Sequence, residues 1–328
     1  MFNYKPPFDI TGEMVSQVAQ IMELIGAFSS AASFTSSPKL RRENRIKSIH
    51  SSLAIEQNTL SLRQVTAVID GKRVLGPSDD ILEIQNANRV YQRIQTYDPL
   101  KIRDLLLAHQ DMMKNLLDTA GKFRIGGVGV FEGDTAIHIA PQADLVPQLM
   151  DDLFAWMRID KTPMLIQSCV FHYEFEFIHP FADGNGRIGR LWHTLLLGHW
   201  REFFLWLPVE TVIKERQEAY YSAIRSSTAA GKSNDFILFM LQAIHDALLQ
   251  QVQEAKLSIR EQSDQVQRLL LVMDPMPISA KELMMKLQLV NRPSFKKLYL
   301  DPALRLGLIE MTIPESPTNR NQKYIKKA

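Results

Sequence analysis

The sequence predicts an all-α chain in the main, with one small β-hairpin and a C-terminal unit made of two helices and a two-stranded wing. Three observations carry that expectation. Apolar residues recur at the helical period over most of the 328 residues. One glycine-interleaved stretch, 121–141, breaks the pattern. Past Gln262 the elements follow the order helix, helix, strand, strand.

Met14, Val15, Val18, Ile21, Met22, Leu24 and Ile25 give the first helix, ending near Phe28, a broad apolar face, and a Ser/Thr/Pro loop over Ser33 to Pro38 closes it. A basic helix follows from Leu40 to Ile55, then one from Ser61 to Ile69 that stops at the Asp70-Gly71 turn. The next helices are Ile81 to Tyr97, ended by Asp98-Pro99, and Leu100 to Leu117. Gly121, Gly126, Gly127, Gly129 and Gly133, interleaved with Val128, Val130, Phe131, Ile137 and Ile139, then predict a β-hairpin turning near Gly133-Asp134. A lone hairpin is marginal unless it packs on something or receives a strand, so this one can serve as a flap. Helical periodicity resumes over Leu149 to Trp156, Met164 to Ile178 and Leu191 to Trp200, and a long run from Phe236 to Leu271 reads as a connector. Ser279 with Glu282 forms a capping-box signal for a helix to Leu287, and Ser294 to Leu304 is a second helix. Leu308 to Ile313 and Lys323 to Lys327 are strand-like around the polar loop 314–322, which is the order of a winged helix-turn-helix. The expected organisation is an N-terminal helical region, 1–99, a core, 100–250, and a connector with the winged-helix unit, 251–328.

The composition is that of a globular protein, 45% hydrophobic and 23% charged, which excludes wholesale disorder. The net charge of +2 excludes a surface that is basic throughout. It hides an asymmetry, because residues 291–328 carry eight Lys and Arg against three acidic residues, a net +5, and leave −3 for the rest. A DNA partner through residues 262–328 is therefore one expectation. The single cysteine, Cys169, removes an intrachain disulfide or Cys-based zinc site, and its place in an apolar helix suits packing. With no signal-like N-terminus and no run of 18 apolar residues, the expected location is cytoplasmic, with no membrane partner.

The chemistry concentrates in His179-Pro180-Phe181-Ala182-Asp183-Gly184-Asn185-Gly186-Arg187-Ile188-Gly189-Arg190. Gly184, Gly186 and Gly189 match a dinucleotide fingerprint, but the preceding run places Met164, Phe171, Phe175 and Ile178 on one helical face, and no βαβ succession surrounds it. The better reading is a loop between two helices, in which Gly184 and Gly186 let successive N–H groups curl around phosphate oxygens at a positive helix end. Arg187 and Arg190 fall on the same side of the first turn, where their forks can grip phosphates. Asp183 offers one hard oxygen to a Mg²⁺ that keeps waters and phosphate oxygens as its other ligands. His179 is a base suited to neutral pH. His172, Glu176 and His179 share a helical face, yet packing explains the first two and a base must stay free of metal. Phe181 reads as a core anchor for the loop.

HPFADGNGRIGR resembles the Fic family motif HPFxDGNGRxxR at all nine specified positions. Phe123-Arg124 and the hairpin to Pro141 resemble the Fic flap, and Ser51-Ser52-Leu53-Ala54-Ile55-Glu56-Gln57-Asn58 resembles the inhibitory segment [S/T]xxxE[G/N] of the type placed N-terminal to the core. The resemblance implies a mainly helical Fic fold and transfer of AMP from ATP to a Ser, Thr or Tyr hydroxyl of a target protein or of the chain itself. His179 would be the base and Asp183 the Mg²⁺ ligand. Asn185 and the amides of Gly184 and Gly186 would lie on the α- and β-phosphates, and Arg187 and Arg190 on the β- and γ-phosphates. The flap would hold the target by strand addition.

Ser52 and Glu56, four apart, share a helical face, and if that face covers the nest Glu56 competes with the γ-phosphate for Arg190. Gln57 departs from the pattern where Gly or Asn is usual, and Asn58 is expected to cap the helix end in its place. Tyr220 and Tyr221 can wall an adenine pocket. Removal of AMP with Glu56 positioning a water, transfer of another nucleotidyl or phospho group, and a homodimer stay open as alternatives. A regulator that binds DNA through the winged helix is the alternative of another class.

Overall fold

The computed structural model describes residues 4–30, 38–127, 129–132, 135–273, 276–317 and 319–326, with backbone alone at 27–30, 129–132, 135–139 and 255–263. The chain divides into two compact units, Met1–Gln251 and Val252–Ala328. The first holds α1 (Gly12–Ser30), α2 (Pro38–Ile55), α3 (Leu62–Ile69), α4 (Ser78–Gln92), α5 (Ile102–Met112), the antiparallel strands β1 (Gly129–Glu132) and β2 (Thr135–Ile139), α6 (Val146–Ile159), α7 (Met164–Ile178), α8 (Asn185–Trp200), α9 (Val209–Glu215) and α10 (Gln217–Ala230). The next helix, α11 (Asn234–Val272), contributes to both units.

Helices α7 and α8 form the centre because nearly every side chain on them is apolar or has an internal partner. Cys169, Val170, Phe171, Phe175, Ile188, Leu191 and Trp192 are fully buried. Phe154 of α6 meets Phe171 edge-on, and Trp192 anchors its indole N–H on the Pro99 carbonyl at 3.0 Å. Around this pair, α2 packs on α4, α8 and α9. A buried carboxylate fastens that layer. Glu210 of α9 accepts hydroxyl bonds from Ser48 of α2 at 2.7 Å, Thr194 of α8 at 3.0 Å and Tyr91 of α4 at 3.2 Å. Such a network satisfies a charge that would otherwise be costly to bury, and it fixes α2 against the centre.

Local sequence signals account for most element ends. Ser61 and Gln64 form a reciprocal capping box at the start of α3. The apolar pattern overruns the helix in two places. The helix expected to reach Tyr97 stops at Gln92 and continues as a 3₁₀ turn, Ile94–Thr96, and the helix expected to reach Leu117 stops at Met112. Leu116 and Leu117 still pack on the core from a turn in which Asn115 adopts a left-handed torsion, φ 61°. Conversely, α8 begins at Asn185, six residues before the first apolar residue of the expected helix, because Gly184 supplies the left-handed N-cap, φ 82°.

The hairpin pairs Gly129 with Ile139 and Glu132 with Thr135, with a bulge between Val130 and Phe131. Its expected turn at Gly133-Asp134, and Val128, lie outside the described residues. In the second unit, β3 (Ile278–Ser279), α12 (Ala280–Lys286), α13 (Arg292–Phe295), α14 (Asp301–Arg305), β4 (Ile309–Met311) and β5 (Lys323–Lys326) enclose a core of Leu283, Phe295, Leu300, Ala303 and Ile309. Its sheet has the order β3-β5-β4. The expected single helix to Leu304 is broken by a π-helical turn, Lys296–Leu300, just before Pro302, whose missing N–H cannot continue the α ladder.

Candidate active site

The site begins where α7 ends. His179 takes a left-handed torsion, φ 49°, and its N–H still bonds to the Phe175 carbonyl at 2.9 Å, so the chain turns sharply out of the helix. Such a torsion on a non-glycine residue is held only by its surroundings. Arg124 supplies them. Its buried guanidinium donates to the His179 carbonyl at 2.8 Å, the Gly126 carbonyl at 2.9 Å and the Pro141 carbonyl at 2.5 Å, while its backbone N–H donates to the Pro180 carbonyl. One side chain thereby joins both ends of the hairpin segment to the loop after His179.

The loop that follows is braced from beneath. Phe181 is fully buried and stacks on His109 of α5 at a centroid distance of 3.6 Å, as expected of a core anchor. His109 contacts the Asp183 carbonyl through Nε2 at 2.9 Å and accepts the Gly121 N–H on Nδ1 at 2.8 Å. Burial pushes its pKa down to about 4, against the opposing pull of the Asp183 carbonyl, so the ring is neutral and Nε2–H is the donor. Asn185 spends its side chain on the same task, accepting from the Phe181 N–H and donating to the Phe181 carbonyl, both at 2.9 Å. Only its backbone remains for the phosphate role expected of it.

These braces leave the first N–H groups of α8 at Asn185, Gly186 and Arg187 without intrahelical partners, the anion seat expected from the glycine spacing. Glu56 occupies it. A Cβ on Gly186 would collide with Glu56 Oε1, so only glycine lets the carboxylate come this close to the helix end. The same oxygen accepts from Arg190 Nη2 at 2.7 Å. Ser52 completes the grip, its hydroxyl accepting from Arg190 Nε at 3.1 Å and its carbonyl from Nη2 at 3.0 Å. Burial works against the Arg190 charge, and Glu56, with smaller contributions from Tyr220 and Glu176, outweighs it and holds the guanidinium above its ordinary range.

The structure thus brings Ser52, Glu56, Gly186 and Arg190 together. It separates the two motif arginines. Arg187 faces the other way, bonded to Glu83 of α4 at 2.5 Å and to Asp183 at 3.1 Å. Asp183 itself is 61% exposed and accepts the Gly184 N–H at 2.6 Å.

A cleft lined by Glu56, Glu176, His179, Arg190, Tyr220 and Tyr221 adjoins the seat. His179 Nδ1 lies 3.3 Å from the Glu176 carbonyl, which leaves Nε2 available as a proton acceptor. Burial lowers the His179 pKa, with Glu176 opposing. Burial raises Glu176 to about 7, although His179 and Arg190 pull the other way. Tyr220 is buried with its hydroxyl on His172 at 3.2 Å, whereas Tyr221 is half-buried at the cleft wall. Among the described residues no cluster of three His, Cys, Asp or Glu side chains is arranged to hold a metal, so His172, Glu176 and His179 form no such site.

Four residues escaped the sequence reasoning: Glu83, His109, Arg124 and Glu176 as site-shaping groups. Arg124 stood beside the flap resemblance, and Glu176 carried a helical-spacing signal. Glu83 and His109 have only their residue types, since they act on Arg187 and Asp183 across 104 and 74 positions of sequence.

The fold and site define a helical protein in which the first amides of α8 and a buried arginine lie beside a histidine at the end of α7. The Fic/DOC family model matches residues 99–197, and that of the filamentation-induced-by-cAMP Fic-like C-terminal domain matches residues 264–325. A crystal structure of a Fic family protein from Desulfovibrio desulfuricans G20 is 47% identical, covers 99% of both chains and superposes with a TM-score of 0.74. This chain belongs to the Fic/DOC family. It is 28% identical over 215 residues to protein adenylyltransferase fic-1 of Caenorhabditis elegans, covering 62% of this chain and 40% of that protein. It is 32% identical over 146 residues to a probable protein adenylyltransferase of Aquifex aeolicus, covering 43% of each. The chain spans about 40% of the length of the first of these curated relatives.

Proposed function

We propose that the chain is a protein adenylyltransferase held in check by its own Glu56. The observation that carries the reading is the Glu56 carboxylate bonded to Arg190 and pressed on Gly186, where an anionic phosphate would otherwise sit. When Glu56 withdraws, the α8 amides and Arg190 receive the phosphates of ATP, and Tyr221 with Tyr220 behind it walls the base. His179 takes the proton of a target hydroxyl at Nε2 as the hydroxyl oxygen bonds the α-phosphorus. The bond to the β-phosphate breaks, and pyrophosphate leaves. Asp183 fits a Mg²⁺ that keeps waters and phosphate oxygens, because its carboxylate is exposed at the mouth of the nest. The ion would supply charge neutralisation there, once Arg187 yields its contact with Asp183. The hairpin offers strand edges to an extended target segment, which reads backbone more than side chains.

Incubation with α-labelled ATP tests the reading. Glu56→Gly is expected to label itself or a lysate protein, and adding His179→Ala to abolish that label. A Glu56→Gly variant that labels nothing, or a label indifferent to His179→Ala, refutes it. Release of AMP from a pre-modified target, lost in Glu56→Gly, would instead assign Glu56 to positioning a water.

The second unit supports an additional reading as a DNA-binding winged helix. Its observation is the helix-helix-sheet order together with the +5 charge of residues 291–328. Binding of the full chain to duplex DNA that weakens steeply with salt is the expected result, and no binding at low salt removes this role.

A further inference from the structure

We infer that Glu83 is a second carboxylate of the inhibitory apparatus, a positioning residue that links the first motif arginine to the inhibitory turn. Its two oxygens face different partners. Oε1 accepts from Arg187 Nη1 at 2.5 Å, and Oε2 accepts from Asn58 Nδ2 at 2.8 Å. Asn58 lies two residues past Glu56, and its backbone N–H bonds to the Leu53 carbonyl at 3.1 Å, closing the end of α2. The Asn58 carboxamide is fully employed, since Nδ2 also donates to the Asp80 carbonyl at 3.1 Å and Oδ1 accepts from the Leu60 N–H at 3.2 Å.

Each motif arginine is therefore held by one acidic side chain from the N-terminal helices, Arg190 by Glu56 and Arg187 by Glu83. A single asparagine connects the second contact to the helix end that carries the first. Arg187 is 5% exposed, so Glu83 also meets the need of a nearly buried guanidinium for an anion. The carboxylate is required for both tasks at once, because it accepts from two donors. A glutamine at position 83 offers one acceptor oxygen and an NH₂, and so satisfies either Arg187 or Asn58 but confronts the other with a donor. Removing the charge of Glu83 thus loosens the turn that delivers Glu56, without touching Glu56 or Arg190.

The inference rests on the adenylyltransferase reading only where activity is measured, and amide exchange tests it separately on the full chain. Glu83→Gln is expected to speed exchange at the Gln57 and Asn58 amides by at least about threefold, the loss of one modest hydrogen bond, and Asn58→Ala, which also gives up the Asp80 and Leu60 bonds, by more. The double variant is expected to add nothing to Asn58→Ala, because that substitution already cuts the link to Glu83. In the labelling assay Glu83→Gln raises the basal signal while Glu56 is present. In the Glu56→Gly background it gives no gain and raises KM for ATP, because Arg187 loses its placement. Unchanged exchange in Glu83→Gln overturns the inference, as do multiplying effects in the double variant, or a gain in labelling that persists in the Glu56→Gly background. If Glu56→Gly itself labels nothing, the adenylyltransferase reading fails while the exchange measurement still decides the role of Glu83. Asn58→Ala leaves the buried Arg187 pair intact, so the question stays open to measurement even if Glu83→Gln folds poorly.

Discussion

Replacing Gln57 by glycine isolates the backbone cost of closing the inhibitory turn. Gln57 has φ 69°, and the turn is a Schellman end: the Gln57 N–H bonds to the Ala54 carbonyl at 3.3 Å and the Asn58 N–H to the Leu53 carbonyl at 3.1 Å. The position demands a left-handed residue, and the usual Gly or Asn is absent. A side chain there costs roughly 1–2 kcal/mol. Glycine returns about 0.5–1 kcal/mol of that through the greater freedom of its unfolded chain, so the turn gains roughly 0.5–1 kcal/mol net. At about 1.4 kcal/mol per factor of ten, the closed state is favoured roughly two- to fivefold more. Gln57→Gly should therefore lower basal labelling from α-labelled ATP by about that factor. Added to Glu56→Gly, it should change nothing, because closure no longer delivers a carboxylate. Basal labelling that rises in Gln57→Gly, or a matching fall in the Glu56→Gly background, refutes the reasoning.

The remaining predictions concern charge and support. In the Glu56→Gly background the acid limb of kcat should have its midpoint below the ordinary histidine value, because a base with a lowered pKa stays neutral to lower pH. Glu176 is raised to about 7 in the fold, so the stability tied to its proton is present below the unfolded value, near 4.5, and is lost as pH rises through 7. Glu176→Gln should accordingly raise the melting temperature over the parent more at pH 8 than at pH 5, by thermal denaturation. His109→Ala removes a stacked ring and two bonds beneath the nest, and should cost about 2–4 kcal/mol in denaturant unfolding, with a weaker ATP affinity in the Glu56→Gly background. ATP at one fixed concentration should raise the melting temperature of Glu56→Gly more than that of the parent, since in the parent it must first displace Glu56.

The site was legible where chemistry is local in sequence and hidden where it is assembled by packing. The twelve residues from His179 to Arg190 bring the histidine, the α8 amides and the buried arginine into one stretch, and Ser52 and Glu56 share a helical face, so both segments show in the residue order. The different facing of Arg187 and Arg190 was not legible. Their spacing puts them on one side of a helical turn, and only the approach of α2 to one and α4 to the other separates their partners. The helix ends at Gln92 and Met112 were misplaced for a related reason. Leu116 and Leu117 are called for by the core and not by the helix, so an apolar period runs on through a turn without showing it. The π-helical turn before Pro302 had a visible cause in that proline, but periodicity over a short amphipathic stretch does not register one extra residue in a turn.

On the proposed reading, the burial of Arg190 explains why the group that covers it would be a carboxylate. Its side chain is 1% exposed, and Glu56 is its one ion-pair partner among the described residues. Removing one member of such a pair costs about 3–5 kcal/mol, because the other charge is left without compensation. A purely steric plug would leave that deficit in the resting protein. Glu56 removes it, and an incoming phosphate removes it equally, since both present anionic oxygen to the same guanidinium and the same helix end. Exchange between them keeps the buried charge compensated in either state, and the difference in free energy narrows to what the turn at Gln57 and Asn58 adds. Small terms in that turn, a left-handed glutamine on one side and the Glu83 bond on the other, would on this reading decide how much ATP the resting protein admits.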